Sequence, residues 1–305
     1  METRQTPQPP ESPVAAAAFI LVASALIAGT TLLAKLVGQD HLGAPLHPLQ
    51  ISHGRFLFAF LAISGAVLAL RPGFHQVHWQ LHVARSAAGW LGISLMFAAV
   101  TFIPLADATA ISFLNPIIAM MLAVPLLGER VGIWRWGAAA IALTGALILV
   151  QPGGSGFHPA VLLALAAAFA MGFEITLIKR LTGRESPLQI LWFNNAIGCT
   201  IASGAVLWIW ASGTFQWPNG AQWLALAALG LMMATAQAAF IQGMKRADAS
   251  FVAPFQYATL IFAGLYDFIG FSVIPAATSL LGAGIIIAGG VILAGREARA
   301  PRRRN

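Results

Sequence analysis

Apolar residues fall along this chain in unbroken blocks of about 20, the helical length that crosses a bilayer core. They show neither the alternation of strands nor the one-sided stripe of a soluble helix. Ten such stretches can be drawn: 14–37, 49–70, 80–102, 105–126, 132–150, 159–179, 187–211, 221–243, 249–269 and 276–295. The links between them are short and polar, so the pattern predicts one all-α integral membrane bundle with no extramembrane domain. Asn115-Pro116 and Pro125 interrupt the fourth stretch, because proline lacks a backbone donor and frees a carbonyl at membrane depth. Residues 1–13 are polar and proline-rich and read as a disordered tail, and residues 296–305 as a basic one.

Composition sharpens the class. At 305 residues with 58% hydrophobic and 9% charged side chains, the chain has too little polar surface to coat a soluble globule. The formal charge of +7 would suit nucleic acid, but its distribution argues otherwise. With both termini cytoplasmic, all 17 Lys and Arg except Lys35 and Arg55 lie on or near the cytoplasmic face, Arg85 included. Spread over many loop ends, these charges form no groove, which excludes a nucleic-acid partner. Trp79, Trp208, Trp210, Trp217 and Trp223 sit near span ends, where an indole is half wet. The lone Cys199 closes no disulfide and makes no metal cluster.

The pattern repeats. Pro48-Leu49-Gln50-Ile51 returns as Pro187-Leu188-Gln189-Ile190, Thr31–Leu36 (TLLAKL) resembles Thr176–Leu181 (TLIKRL), and Ala106-Asp107-Ala108 returns as Ala247-Asp248-Ala249. The offset is always about 140 residues and always joins corresponding spans. The chain therefore divides into related halves, 14–152 and 153–295, of five spans each. An odd number of spans makes the second half enter the membrane from the opposite face, and Lys35 and Lys179 lie at opposite ends of their spans accordingly. Inverted repeats are the usual frame of secondary carriers, with the substrate at the midplane between them.

On these residues the chain resembles a drug/metabolite transporter of the EamA type. The run from Pro104 to Val131, PLADATAISFLNPIIAMMLAVPLLGERV, is close to the pattern typical of that family, and Phe255-Gln256-Tyr257 matches what many relatives carry. The likeness covers residues 14 to 295. It implies ten transmembrane helices in two inverted five-helix repeats, the inner membrane of a bacterium, and transport of a small organic metabolite. Proteins of similar pattern include amino-acid and metabolite exporters and carriers that take up riboflavin or S-adenosylmethionine. One departure is that the family's Gly-Glu after the ninth span reads Ser272-Val273 here, while Glu129 keeps the acidic residue in the first repeat. That favours a turn role for the pair.

Ionisable residues inside spans are few, and each costs about 2.5–3.5 kcal/mol to insert at the centre of a helix. Arg55, two residues after His53, faces the cavity and pairs with an acceptor on the solute, or else snorkels or pairs with Asp267 or Asp107. Glu174 is either a proton- or substrate-linked carboxylate or a gate and interhelical ion pair. Asp107 and Asp248 start their helices and suit the dipole there. Asn115, Asn194, Gln237, Gln256 and Tyr257 supply polar groups, and Trp90, Phe97 and Phe113 aromatic faces on which a planar solute could stack, against a default of core packing. Gly137, Ala140 and Thr144 in the fifth span, and Gly284 and Ala288 in the tenth, suit close helix contact at the periphery rather than a cavity wall. No phosphate loop, zinc spacing or nucleophile elbow occurs, so neither catalysis nor a cofactor is expected. The expected partners are a small-molecule substrate, the lipid bilayer, and a proton or an exchanged solute.

Overall fold

The computed structural model describes residues 12–74, 77–127, 133–150, 158–181, 185–244, 246, 255–256 and 258–299. Its helices are α1 Pro13–Gly38, α2 Pro48–Leu70, α3 Trp79–Val100, α4 Leu105–Ser112, α5 Asn115–Leu127 and α6 Ile133–Val150 in the first half. The second half supplies α7 Val161–Leu181, α8 Pro187–Ala211, α9 Gly220–Met244, α10 Ala258–Phe271 and α11 Ala277–Arg299. Seven runs among the described residues are long and apolar enough to cross a membrane, with α4 and α5 together forming one of them. Ala258–Phe271 and Ala277–Gly289 are shorter apolar helices.

The repeated Pro-Leu-Gln-Ile proves to be a helix start in both halves. Proline fits the first turn, where no backbone donor is needed. Before it, His47 Nδ1 accepts from Leu49 N at 3.2 Å while Gln50 Oε1 takes His47 N at 3.4 Å. Ser186 does the same for α8, accepting from Gln189 N at 3.3 Å. The break between α4 and α5 falls at Phe113 and Leu114, directly after Ser112, whose carbonyl the Pro116 ring would clash with in a continuing helix. Pro125 lies inside α5 without ending it.

Packing partners exchange between the halves. α1 lies on α9 as α7 lies on α3, α5 on α7 as α10 on α1, and α2 on α9 as α8 on α3. Of the remaining large pairings, α2 with α8 and α6 with α11 join an element to its own counterpart, and α4 lies on α10. This is the packing of a pseudo-two-fold assembly. The α6–α11 contact runs through Gly145, where an added Cβ would come within 2.7 Å of Gly282 O. Gly137 and Gly284 instead face open space, so the close contact does not use the small-residue face read in the sequence.

Two apolar cores fill the interior, one around Ile111, Leu114 and Ile117, the other around Phe56, Phe97 and Leu229. Gly230 lets α9 approach α2 so closely that a Cβ there would meet Phe58 Cβ at 2.5 Å and Ala59 N at 2.9 Å. Backbone cannot step aside cheaply. Gly230→Ala is therefore expected to cost about 1–3 kcal/mol, read as a lower unfolding midpoint in detergent, whereas Gly65→Ala, in open space, leaves it unchanged.

Candidate functional site

A cavity of about 260 Å³ lies where the two halves meet, walled by α1, α3, α4, α5, α7, α9 and α10. Asn115 opens α5 at its wall, and Gln256, the corresponding residue of the second repeat, reaches it from just before α10. The helix break before Pro116 is what puts an amide here, in place of another turn of apolar helix. Thr109 and Phe113 add a hydroxyl and a ring from the same break, and Met96, Met171 and Met233 supply adaptable apolar walls. Ser24 Oγ donates to Phe255 O at 3.4 Å, tying α1 to the cavity's far edge.

A second polar group of residues adjoins it. Gly92 touches Met171 of the cavity wall, and one turn away, on the same α3–α7 face, Gly89 leaves room for the Glu174 carboxyl. A Cβ at Gly89 would fall 2.8 Å from Glu174 Cδ. Arg85 Nη2 stands 3.6 Å from Glu174 Oε1, and Arg55 on α2 acts electrostatically on the same carboxyl. Arg85 is buried inside α3, a correction to its sequence placement among the cytoplasmic-face cations; its Nη1 donates to Ile190 O at 3.1 Å. Asn194 is buried with Oδ1 enclosed and unpartnered, and Gln237 Oε1 and Trp90 Nε1 are likewise enclosed.

The other sequence candidates lie elsewhere. Phe97 is fully buried in the core with Phe56, and His53 Nε2 meets Ser203 Oγ at 3.1 Å between α2 and α8. Trp90 also borders an apolar groove between α3 and α7 with Leu91 and Phe169. Tyr257, Glu129 and Asp248 lie outside the described residues. Asp267, weighed as a partner for Arg55, is taken by Lys35: Nζ to Oδ1 is 2.7 Å, and both side chains are almost wholly enclosed. The other oxygen of Asp267 accepts from Ala106 N at 2.9 Å, at the first turn of α4. Arg180, at the position in TLIKRL that Lys35 holds in TLLAKL, instead donates to the backbone oxygen of Leu126.

Sequence reasoning missed one cluster altogether. Glu185, just ahead of α8, has an enclosed carboxylate that accepts from His78 N at 2.9 Å, His78 Nδ1 at 3.0 Å, His82 Nε2 at 2.7 Å and Gln189 Nε2 at 2.7 Å. It ties the starts of α3 and α8 together. At the corresponding place in the other half, Gln50 Nε2 donates to Gln216 O at 2.7 Å and Gln222 Nε2 to Ala44 O at 2.8 Å, with no charge involved. The Glu185-x-x-x-Gln189 spacing and His78-x-x-x-His82 spacing were the available signal, each one helical turn.

Burial alone pushes the Glu185 carboxyl up. The hydrogen bonds from the His78 backbone, the His82 ring and the His78 ring, with the charge of His82, outweigh burial and hold it below its ordinary value of 4.5. A lowered value in the folded state means the cluster stabilises fully above pH 4.5 and loses that contribution as pH falls through the lowered value. Glu185→Gln is thus expected to cost about 1–3 kcal/mol at neutral pH. The gap between the wild-type and variant melting curves should close below pH 4.5, and a gap independent of pH would contradict this.

Comparison with known proteins adds relatives. The chain is 32% identical to a riboflavin transporter of Rhizobium johnstonii, over 81% of this chain and 80% of that one. It is 23% identical to an S-adenosylmethionine uptake transporter of Rickettsia prowazekii, over 82% and 84% respectively. A solved crystal structure superposes with a TM-score of 0.60 at 22% identity, covering 93% of this chain and 99% of the other, which supports the same fold. The pattern of the EamA-like transporter family matches twice, at residues 14–151 and 158–295. Those two matches take in both halves of the repeat, and the chain belongs to the EamA-like transporter family.

Proposed function

We propose that the chain is a secondary transporter that moves a small organic metabolite, an amino acid or a related compound, across a bacterial inner membrane by alternating access. In this reading the membrane is crossed ten times by two inverted five-helix repeats, 14–152 and 153–295, with both termini cytoplasmic. The observation that carries it is the central cavity: it lies between the repeats, and equivalent residues, Asn115 and Gln256, line it from either side. A site on the pseudo-two-fold axis can be exposed to either face by exchanging one packing arrangement for its counterpart. Arg55, Glu174 and Asn194 serve the same site from the adjoining polar group, with Gln237 and Trp90 as further contacts.

A planar cofactor is the second reading, and the relative named as a riboflavin transporter favours it. The cavity supports either, since Phe113 offers a ring and the amides offer orientation. The experiment is a thermal-shift screen of purified protein against amino acids, flavins and nucleoside-like cofactors, followed by counterflow of each hit in liposomes. Saturable exchange is the expected result, weakened by Asn115→Ala and by Gln256→Ala. Flux that does not saturate would mean a channel, and stabilisation without flux would mean a scaffold or sensor.

A further inference from the structure

The charges around Glu174 do not balance. Two guanidinia, Arg55 and Arg85, 7% and 4% exposed, bear on one carboxylate: Arg85 stands 3.6 Å from Glu174, and Arg55 acts on it from beyond ion-pair contact. Formal charge there is therefore one positive unit in excess. The hydrogen bonding is incomplete in the same sense: Arg55 Nε, Arg55 Nη1 and Arg85 Nε are enclosed with no acceptor among the described residues. A closed Arg–Glu–Arg triad would show charge-assisted bonds near 2.7–2.9 Å. Here the Arg85–Glu174 approach is 3.6 Å, longer than a hydrogen bond. Buried guanidinium N–H groups left without acceptors are costly, and a missing anion supplies what they lack.

We infer that Arg55, Arg85 and Glu174 form a subsite for the carboxylate of the transported solute. This rests on the transport reading and narrows its substrate to carboxylate-bearing metabolites. One negative charge brings the set to neutrality. A phosphate monoester, with about −1.5 to −2 at pH 7, would overshoot it. Planar carboxylate oxygens also match the fork of a guanidinium. The subsite borders the central cavity through the α3–α7 face, where Gly89 and Gly92 are three residues, about 4.5 Å of helix, apart. A solute can then lie with its carboxylate between the arginines and its body against Asn115, Gln256 and the methionines. Glu174 is the internal anion that partly neutralises the empty subsite.

Acetate is the minimal probe, with acetamide and chloride as controls at equal ionic strength, on full-length protein in lipid nanodiscs. The melting temperature is expected to rise saturably with acetate and with neither control. Arg85→Gln should weaken that response at least tenfold. Glu174→Gln, nearly isosteric and removing the competing anion, should strengthen it at least tenfold. That gain cannot come from misfolding. Equal responses to acetate and acetamide, or acetate binding unmoved in Arg85→Gln and Glu174→Gln alike, would overturn the subsite. Counterflow of nicotinate against nicotinamide, and of phenylalanine against phenylalaninamide, separates this inference from the one beneath it. Acetate discrimination without any counterflow keeps the subsite and sinks the carrier, whereas counterflow of a neutral solute indifferent to Arg85→Gln keeps the carrier and sinks the subsite.

Discussion

Asp267→Ala is expected to lower the stability of the folded chain by about 3–5 kcal/mol, the usual loss when one partner of a buried ion pair is removed. Two groups are stranded at once. Lys35 Nζ loses the oxygen 2.7 Å away and keeps the Phe271 ring, whose centroid is 4.2 Å off, and the longer-range attraction of Asp107. Ala106 N, one of the donors that α4 cannot satisfy internally, loses its acceptor too. Lys35→Met combined with Asp267→Leu should recover much of the loss, because neither charge of the pair is then buried, although the Ala106 donor stays open. Unfolding midpoints of the single and double variants in mixed micelles check this. A double variant no more stable than the single would show that the loss comes from packing and from α4, not from an orphaned cation.

Arg55→Ala is expected to abolish saturable transport while leaving folding close to normal. Losing one side of a desolvated, hydrogen-bonded charge contact costs about 2–5 kcal/mol, which is roughly thirtyfold to several thousandfold in apparent affinity. The folded protein loses little, since Arg55 Nε and Nη1 have no acceptor to forfeit; the stacking of the guanidinium 4.5 Å over Phe56 and its attraction to Glu174, which keeps Arg85, disappear. Expression level and melting temperature of the variant, set beside its counterflow kinetics, make the measurement. Unchanged kinetics would remove Arg55 from the site.

The helices were legible because a bilayer demands long apolar runs, and the duplication because three short motifs recur at one offset. Asn115 and Gln256 were legible for the same reason, as amides at equivalent places in the repeats, Asn115 beside a proline. Arg85 was not. Its position close to the start of α3 satisfies the positive-inside pattern whether it points to water or inward, and only the packing of α3 on α7 through Gly89 decides. Glu185 was hidden differently: an acid and two histidines near short loops look solvated in sequence, and their convergence depends on α3 and α8 starting side by side. Lys35 and Asp267 are 232 positions apart, a pairing that no local pattern encodes.

In the proposed carrier, the unbalanced charge of the Arg55, Arg85 and Glu174 cluster would couple the cycle to the membrane potential. A full unit charge carried across the bilayer is worth about 2.3 kcal/mol per 100 mV. In the proposed carrier the empty cluster would bear one such unit by formal count, and the voltage would act on it in proportion to the distance it shifts across the bilayer. With a carboxylate seated the set would be neutral. Voltage would then act on the empty carrier and have no hold on the loaded one.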